Sequence, residues 1–284
     1  MFLPQQKMYA PAQPIGCTLV ASYYACMTQA LPRTHFNTSR FVRLLTDLAV
    51  ADAGETKQDA AERLGQWLDV NDAIALYTAH GARSPTLSNA PPSENFAASA
   101  ALEREFVRLR TSLAQTIAKS CSPHGGEMRI KLPTPDPGAP LEIAAAYEPY
   151  RRFYLAHQRD MDASIRPLRA KARDALSAAS SALARLAALD AALDDSLWAH
   201  ERRLLATTPA LLEKRFEQQL KAHRQTLTET AQTDNPALWM QPGSWLADFC
   251  QELQAMLLAE LDVRLQPTAG LIEAFGNKVI DINE

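Results

Sequence analysis

The chain is short of the residues that build sheets, membrane spans and metal sites. Its 284 residues include only 10 glycines. Runs of β-branched and aromatic residues bounded by turn signals are almost absent, which leaves a sheet little to build on. No apolar run approaches the roughly 20 residues a helix needs to cross a bilayer. The four cysteines, Cys17, Cys26, Cys121 and Cys250, show neither CxxC spacing nor a matching histidine pair, so no zinc site is expected. A disulfide framework is equally unexpected in a helical chain of this length, and reduced thiols are the reading. Phosphate-cradling loops of the GxxxxGK[ST] or GxGxxG kind are missing. Ile15-Gly16-Cys17 has the outline of a lipoprotein cleavage site, but the residues before it are rich in Pro and Gln rather than apolar, so no signal peptide is read there. These absences together point to a cytoplasmic location.

What is present favours helices. About one residue in six is alanine and 47% of the chain is hydrophobic, so long helices with a real core are expected. The net charge of −3 selects neither nucleic acid nor an acidic partner at whole-chain level.

Residues 1–36 read as a flexible tail broken by Pro4, Pro11, Pro14 and Pro32. Regular patterning begins after Asn37, and residues 1–26 are read as not native, with translation starting at Met27. Residues 37–122 then form a small N-terminal helical bundle. Asn37 to Ser39 offer N-cap chemistry, and Phe41, Leu44, Leu45 and Leu48 follow at helical spacing. Thr56 and Asp59 stand as N-cap and N3 of a second helix striped by Ala60, Leu64, Trp67, Leu68, Ile74 and Thr78 and closed at Gly81. A third helix opens at Ser93 and buries Phe96, Leu102, Phe106, Leu109, Leu113 and Ile117.

Residues 123–140 carry five prolines and three glycines, a linker and the best domain boundary. Residues 141–276 form the long-helix domain, with a C-terminal tail over 277–284. Ile143, Tyr147, Tyr150, Tyr154, His157, Met161 and Ile165 recur at intervals of three and four, like a heptad seam. Pro167 should kink or break that helix, and Ser177 to Ser181 supplies a turn. Leu183, Leu186, Leu189, Leu193, Leu197 and Leu204 stripe the next helix. Thr208 and Pro209 are read as N-cap and N1 of another. Ser244 is expected to cap a last long helix, with Pro267 opening a short terminal one.

Four stretches carry a family resemblance: Phe41-Val42-Arg43-Leu44-Leu45-Thr46-Asp47-Leu48-Ala49; Glu62 to Leu68 followed by Asp72 to Leu76; Tyr150-Arg151-Arg152-Phe153-Tyr154-Leu155-Ala156-His157-Gln158; and Glu201 to Leu205 through Pro209 to Phe216. The chain resembles the proteobacterial family known as domain of unknown function 3348, over roughly residues 27–276. The resemblance implies genes neighbouring those of MotA/TolQ/ExbB-type proton-channel proteins and OmpA-like proteins. It thereby implies a cytoplasmic accessory to an ion-driven envelope complex, and it transfers no functional residue.

Candidate chemistry is sparse. Trp67, Asp69, Asn71 and Asp72 cluster on and beside one helix and read as surface acids with a core tryptophan. His200-Glu201 opens like a zincin helix, but position 204 is leucine, so that motif fails. His157 lies on the tyrosine seam, where a buried, hydrogen-bonded imidazole is expected. Cys121-Ser122-Pro123-His124 brings a thiol near an imidazole without an orienting group. No catalytic, metal or cofactor site follows.

The strongest chemical feature is basic. Arg151, Arg152, Arg159, Arg166 and Arg169 fall within 151–173, and Arg202, Arg203 and Arg215 within 202–224. On paired helices they could form one stripe for phosphates or an acidic protein. The expected architecture is all-α, a small N-terminal bundle plus long antiparallel C-terminal helices, with some Ala-rich seams left for a partner chain or a second copy. The expected function is a non-enzymatic adaptor, with nucleic-acid binding as the alternative. Convergence of the arginines on one face favours nucleic acid, and an exposed stripe at Leu186, Leu193 and Leu197 favours a protein partner.

Overall fold

The computed structural model describes residues 40–49, 67–81, 92–122, 128–135 and 143–283. Every regular element among them is helical, as the composition requires. In chain order these are α1 (Arg40–Ala49), α2 (Val70–Gly81), α3 (Pro92–Ser120), α4 (Ile143–Ala179), α5 (Ser181–Leu205), α6 (Thr208–Thr230) and α7 (Trp245–Asn283). A 3-10 turn at Pro236–Leu238 precedes α7. The expected tail at 1–36, the Thr56–Asp59 cap and residues 82–91, 123–127 and 136–142 lie outside the described residues. All described residues belong to the compact unit Arg40–Glu284.

The tyrosine seam of α4 is the centre of the core. Tyr147, Tyr150, Tyr154, His157, Met161 and Ile165 are all buried, because intervals of three and four return to one helix face. Phe216 of α6 and Phe249 of α7 meet Tyr147 and Tyr150 in edge and tilted ring contacts, and Trp245 closes the cluster edge-on to Phe216 at 5.3 Å. Such pairs add to the stability that ring burial alone supplies. The Tyr147 hydroxyl donates to the Pro209 carbonyl at 2.6 Å, so a buried polar tip is satisfied.

A second cluster joins α3, α4, α5 and α7 through Leu102, Leu168, Leu176, Leu183, Leu271 and Phe275. Helices before and after the Pro/Gly-rich segment therefore share buried side chains. Part of that segment packs as well: Ile130 is buried, and the Leu132 amide donates to the Ser120 carbonyl at 3.1 Å.

Several local expectations are corrected. The second helix does not run unbroken through Trp67 to Thr78. Leu68 and Asp69 are non-helical, and α2 starts at Val70. The reason is a reciprocal cap: the Asp72 amide donates to Asp69 at 2.8 Å and the Asp69 amide to Asp72 at 2.9 Å. Ile74 of the expected stripe is exposed, as is Phe96 of the expected α3 face.

Pro167 and Pro267 end no helix. α4 continues through Pro149 and Pro167, and α7 through Pro267. All three prolines are exposed, so each carbonyl freed four residues earlier lies on the solvent side, where water serves it.

The turn expected at Ser177–Ser181 narrows to Ser180, which is extended and caps α5 by accepting from the Leu183 amide at 3.2 Å. The N-cap of α6 is Thr207 rather than Thr208. Ser244 stands at the N-cap position of α7, its carbonyl accepting from the Asp248 amide at 3.0 Å, while its hydroxyl donates to the Leu238 carbonyl at 2.8 Å and the Ala247 amide is taken by the Trp239 carbonyl at 3.1 Å.

Candidate functional site

The eight arginines singled out by sequence divide according to the partners other helices supply. Arg169, joined by Arg173 one turn on, faces Asp190 and Asp194 of α5. The four side chains form a closed quartet with nitrogen–oxygen distances of 2.6 to 2.9 Å. The antiparallel hairpin about Ser180 produces this: helical spacing of four on each side brings two cations opposite two anions. Arg215 is bidentate to Glu252 of α7 at 2.7 and 2.8 Å. Arg151 and Arg152 both reach Glu148, at 3.3 and 3.0 Å. Arg166 has a long pair with Asp162 at 3.8 Å, and Arg159 and Arg203 are exposed. The guanidiniums of Arg166 and Arg202 stand 4.9 and 4.4 Å from the ring centre of one indole, Trp198.

A fully enclosed carboxylate is not announced by the sequence. Glu260 of α7 is fully buried. One carboxylate oxygen accepts from Tyr154 at 2.6 Å and Gln158 at 3.0 Å. The other accepts from Gln158 at 3.0 Å and Arg264 at 2.8 Å. Gln158 also donates to the Leu205 carbonyl at 3.2 Å, tying the end of α5 to the same centre. The Tyr154 phenol is held well above its ordinary range, first by burial and then by the neighbouring carboxylate. Every oxygen of Glu260 is engaged, so the network fixes helix register and offers no free acid or base. Glu260 and Arg264 are four apart, a spacing that in sequence reads as an ordinary surface pair. Only the arrival of α4 turns it into a buried one.

The remaining candidates are also closed. His157 is buried as expected, with Nε2 2.8 Å from the Ser120 hydroxyl. That hydroxyl donates to the Ile117 carbonyl at 2.9 Å, so the imidazole must donate to the serine oxygen. This is the opposite polarity to a base activating a nucleophile. Burial pushes the His157 pKa down to about 4. Cys121 and Cys250 are buried, and desolvation pushes both thiols up to about 12. They are poor nucleophiles at neutral pH.

Trp67 stacks on His200 at 5.6 Å, and Asp72, held low by the Asp69 backbone and Ser196, is spent on the α2 cap. A trough of about 610 Å³ lies between α3 and α4, where Lys171 pairs with Glu105 above Leu109 and Leu168. Among the described residues no group of three or more His, Cys, Asp or Glu side chains could hold a metal ion. No helix there is long and apolar enough to cross a membrane.

One helix face is left uncovered. α2 has no buried residue, and Val70, Ile74 and Tyr77 are 76%, 59% and 80% exposed. Leu76 and Ala79 are half-buried toward α5, the helix against which α2 packs. The leucine stripe of α5 is split: Leu183 is buried, Leu189, Leu193 and Leu197 are half-buried, and Leu186 and Leu204 are exposed.

The model of a family described as "Protein of unknown function (DUF3348)" matches residues 27–277. No curated protein and no solved structure matches the chain.

Proposed function

Since the chain belongs to the DUF3348 family, whose description assigns no activity, we propose from the geometry that it is a non-enzymatic helical adaptor that docks a partner on the outer face of α2. The observation that carries this reading is the exposure of Val70, Ile74 and Tyr77 together. A helix with apolar residues all round belongs in an interior, yet α5 covers one side of α2. Positions i, i+4 and i+7 form the seam spacing of a coiled coil, so the complementary occupant is the apolar face of another helix. The resemblance in the sequence adds a partner class, the cytoplasmic helical part of a MotA/TolQ/ExbB-like envelope complex.

The nucleic-acid alternative loses support. Arg169 and Arg215 are neutralised between helices, and Arg151 shares Glu148 with Arg152. A phosphate-tracking stripe needs these cations free and on one side.

A photo-crosslinking residue at position 77, introduced into the full chain in its native host, tests the proposal. Crosslinks to one other protein that disappear in Ile74→Asp are expected. An absence of crosslinks at positions 70, 74 and 77, or crosslinks only to further copies of this chain, would defeat the adaptor reading.

A further inference from the structure

We infer that Arg166 and Arg202, stacked about Trp198 on the α4–α5 seam, form a binding site for a small multivalent oxyanion such as pyrophosphate. This inference does not rest on the adaptor reading, because it uses a different surface. Helical geometry puts Ser196 and His200 on the α2 side of α5 and Trp198 and Arg202 on nearly the opposite side.

The site holds an excess of donors. Arg202 makes no ion pair among the described residues. Arg166 has only the 3.8 Å pair with Asp162, and Asp162 also lies 3.6 Å from Arg264. The indole N–H of Trp198 is buried without an acceptor. Two like charges held against one ring repel each other, and an anion bridging them relieves that repulsion. Each guanidinium carbon lies over the Trp198 ring, and holding a side chain there lowers the entropy cost of anion capture. Arg159, two turns before Arg166 on α4, adds positive charge on the same side. Asp162 is the acid paired with Arg166, and Asp195 and Glu201 neighbour Trp198 and Arg202 along α5. The quartet at Arg169 supplies the contrast: there each arginine is matched by an aspartate, and no anion is called for.

Titration of the full chain with pyrophosphate at low ionic strength, followed by calorimetry and by tryptophan fluorescence, tests the site. Saturable binding is expected, weakening as salt rises. Arg166→Gln/Arg202→Gln should lose at least tenfold in affinity, and Trp198→Phe should weaken binding while keeping both charges. Arg151→Gln/Arg152→Gln should bind as the parent does, and circular dichroism should show all variants folded. Absence of saturation, or equal binding by parent and Arg166→Gln/Arg202→Gln, would overturn the inference. Binding lost equally in the Arg151→Gln/Arg152→Gln control would also overturn it, since diffuse charge would then suffice.

Discussion

α2 and α7 are both rich in apolar residues, yet α7 sends a long row of them into the core and α2 has none fully buried. α7 places Leu246, Phe249, Leu253, Met256, Leu257, Leu261, Leu265 and Phe275 in the core, because α3, α4 and α6 pack around it. α2 meets mainly α5 and keeps Val70, Ile74 and Tyr77 in solvent. The difference teaches that apolar content measures the demand for cover, while helix position decides the supply. Where supply falls short, an apolar face stays in water.

Substitutions that strip cover from α7 should have the largest effect. Phe249→Ala removes a fully buried ring from the contacts with Tyr147, Tyr150 and Phe216. It should cost about 4 kcal/mol in urea unfolding. A loss under about 1 kcal/mol would dissolve the contrast with α2.

Glu260→Ala should follow closely, at about 3 kcal/mol or more, because Arg264 and Tyr154 would stay buried without their acceptor. Glu260→Leu, measured beside it, separates the loss of the polar network from the loss of volume.

A comparable effect comes from pH at His157. Its pKa of about 4 in the fold lies below the ordinary value near 6.5. As pH falls the unfolded chain takes the proton first. The contribution is therefore whole above about pH 6.5 and lost on the way down to about pH 4, roughly 3 kcal/mol in all. Unfolding curves across that range should steepen in this sense, and His157→Gln should flatten them.

On α2 the effects should be small. Asp69→Ala removes the oxygen that accepts from the Asp72 amide and should cost about 1 kcal/mol. Ile74→Ala should change stability by no more than about 0.5 kcal/mol, since the side chain is already in water. A larger loss would mean that α2 is covered in solution.

The helical class and the α4 seam were legible because they depend on periodicity along one helix. Tyr147, Tyr150, Tyr154, His157 and Met161 could be assigned to one buried face without knowing what would cover it. The Ser180 turn and the failure of the zincin motif at Leu204 were legible for the same local reason. Phe96 and Ile74 sat at the right spacing yet ended exposed, because no helix among the described residues covers them. The basic stretch was visible as composition, but its sorting into quartet, bidentate pair and stacked pair depends on acids supplied by other helices. Pro267 misled because a proline disrupts a helix least where its freed carbonyl meets water, and exposure is a property of packing.

By itself the chain specified its helices, most of their faces and the buried state of His157, since side-chain period and local hydrogen bonding are set by near neighbours along the backbone. Tertiary packing alone decided that Glu260 would be enclosed, that Arg169 would be neutralised while Arg202 made no ion pair among the described residues, and that the outer face of α2 would remain open. Each of those outcomes depends on which helix arrives alongside, and burial and charge pairing are energies between segments far apart in the chain.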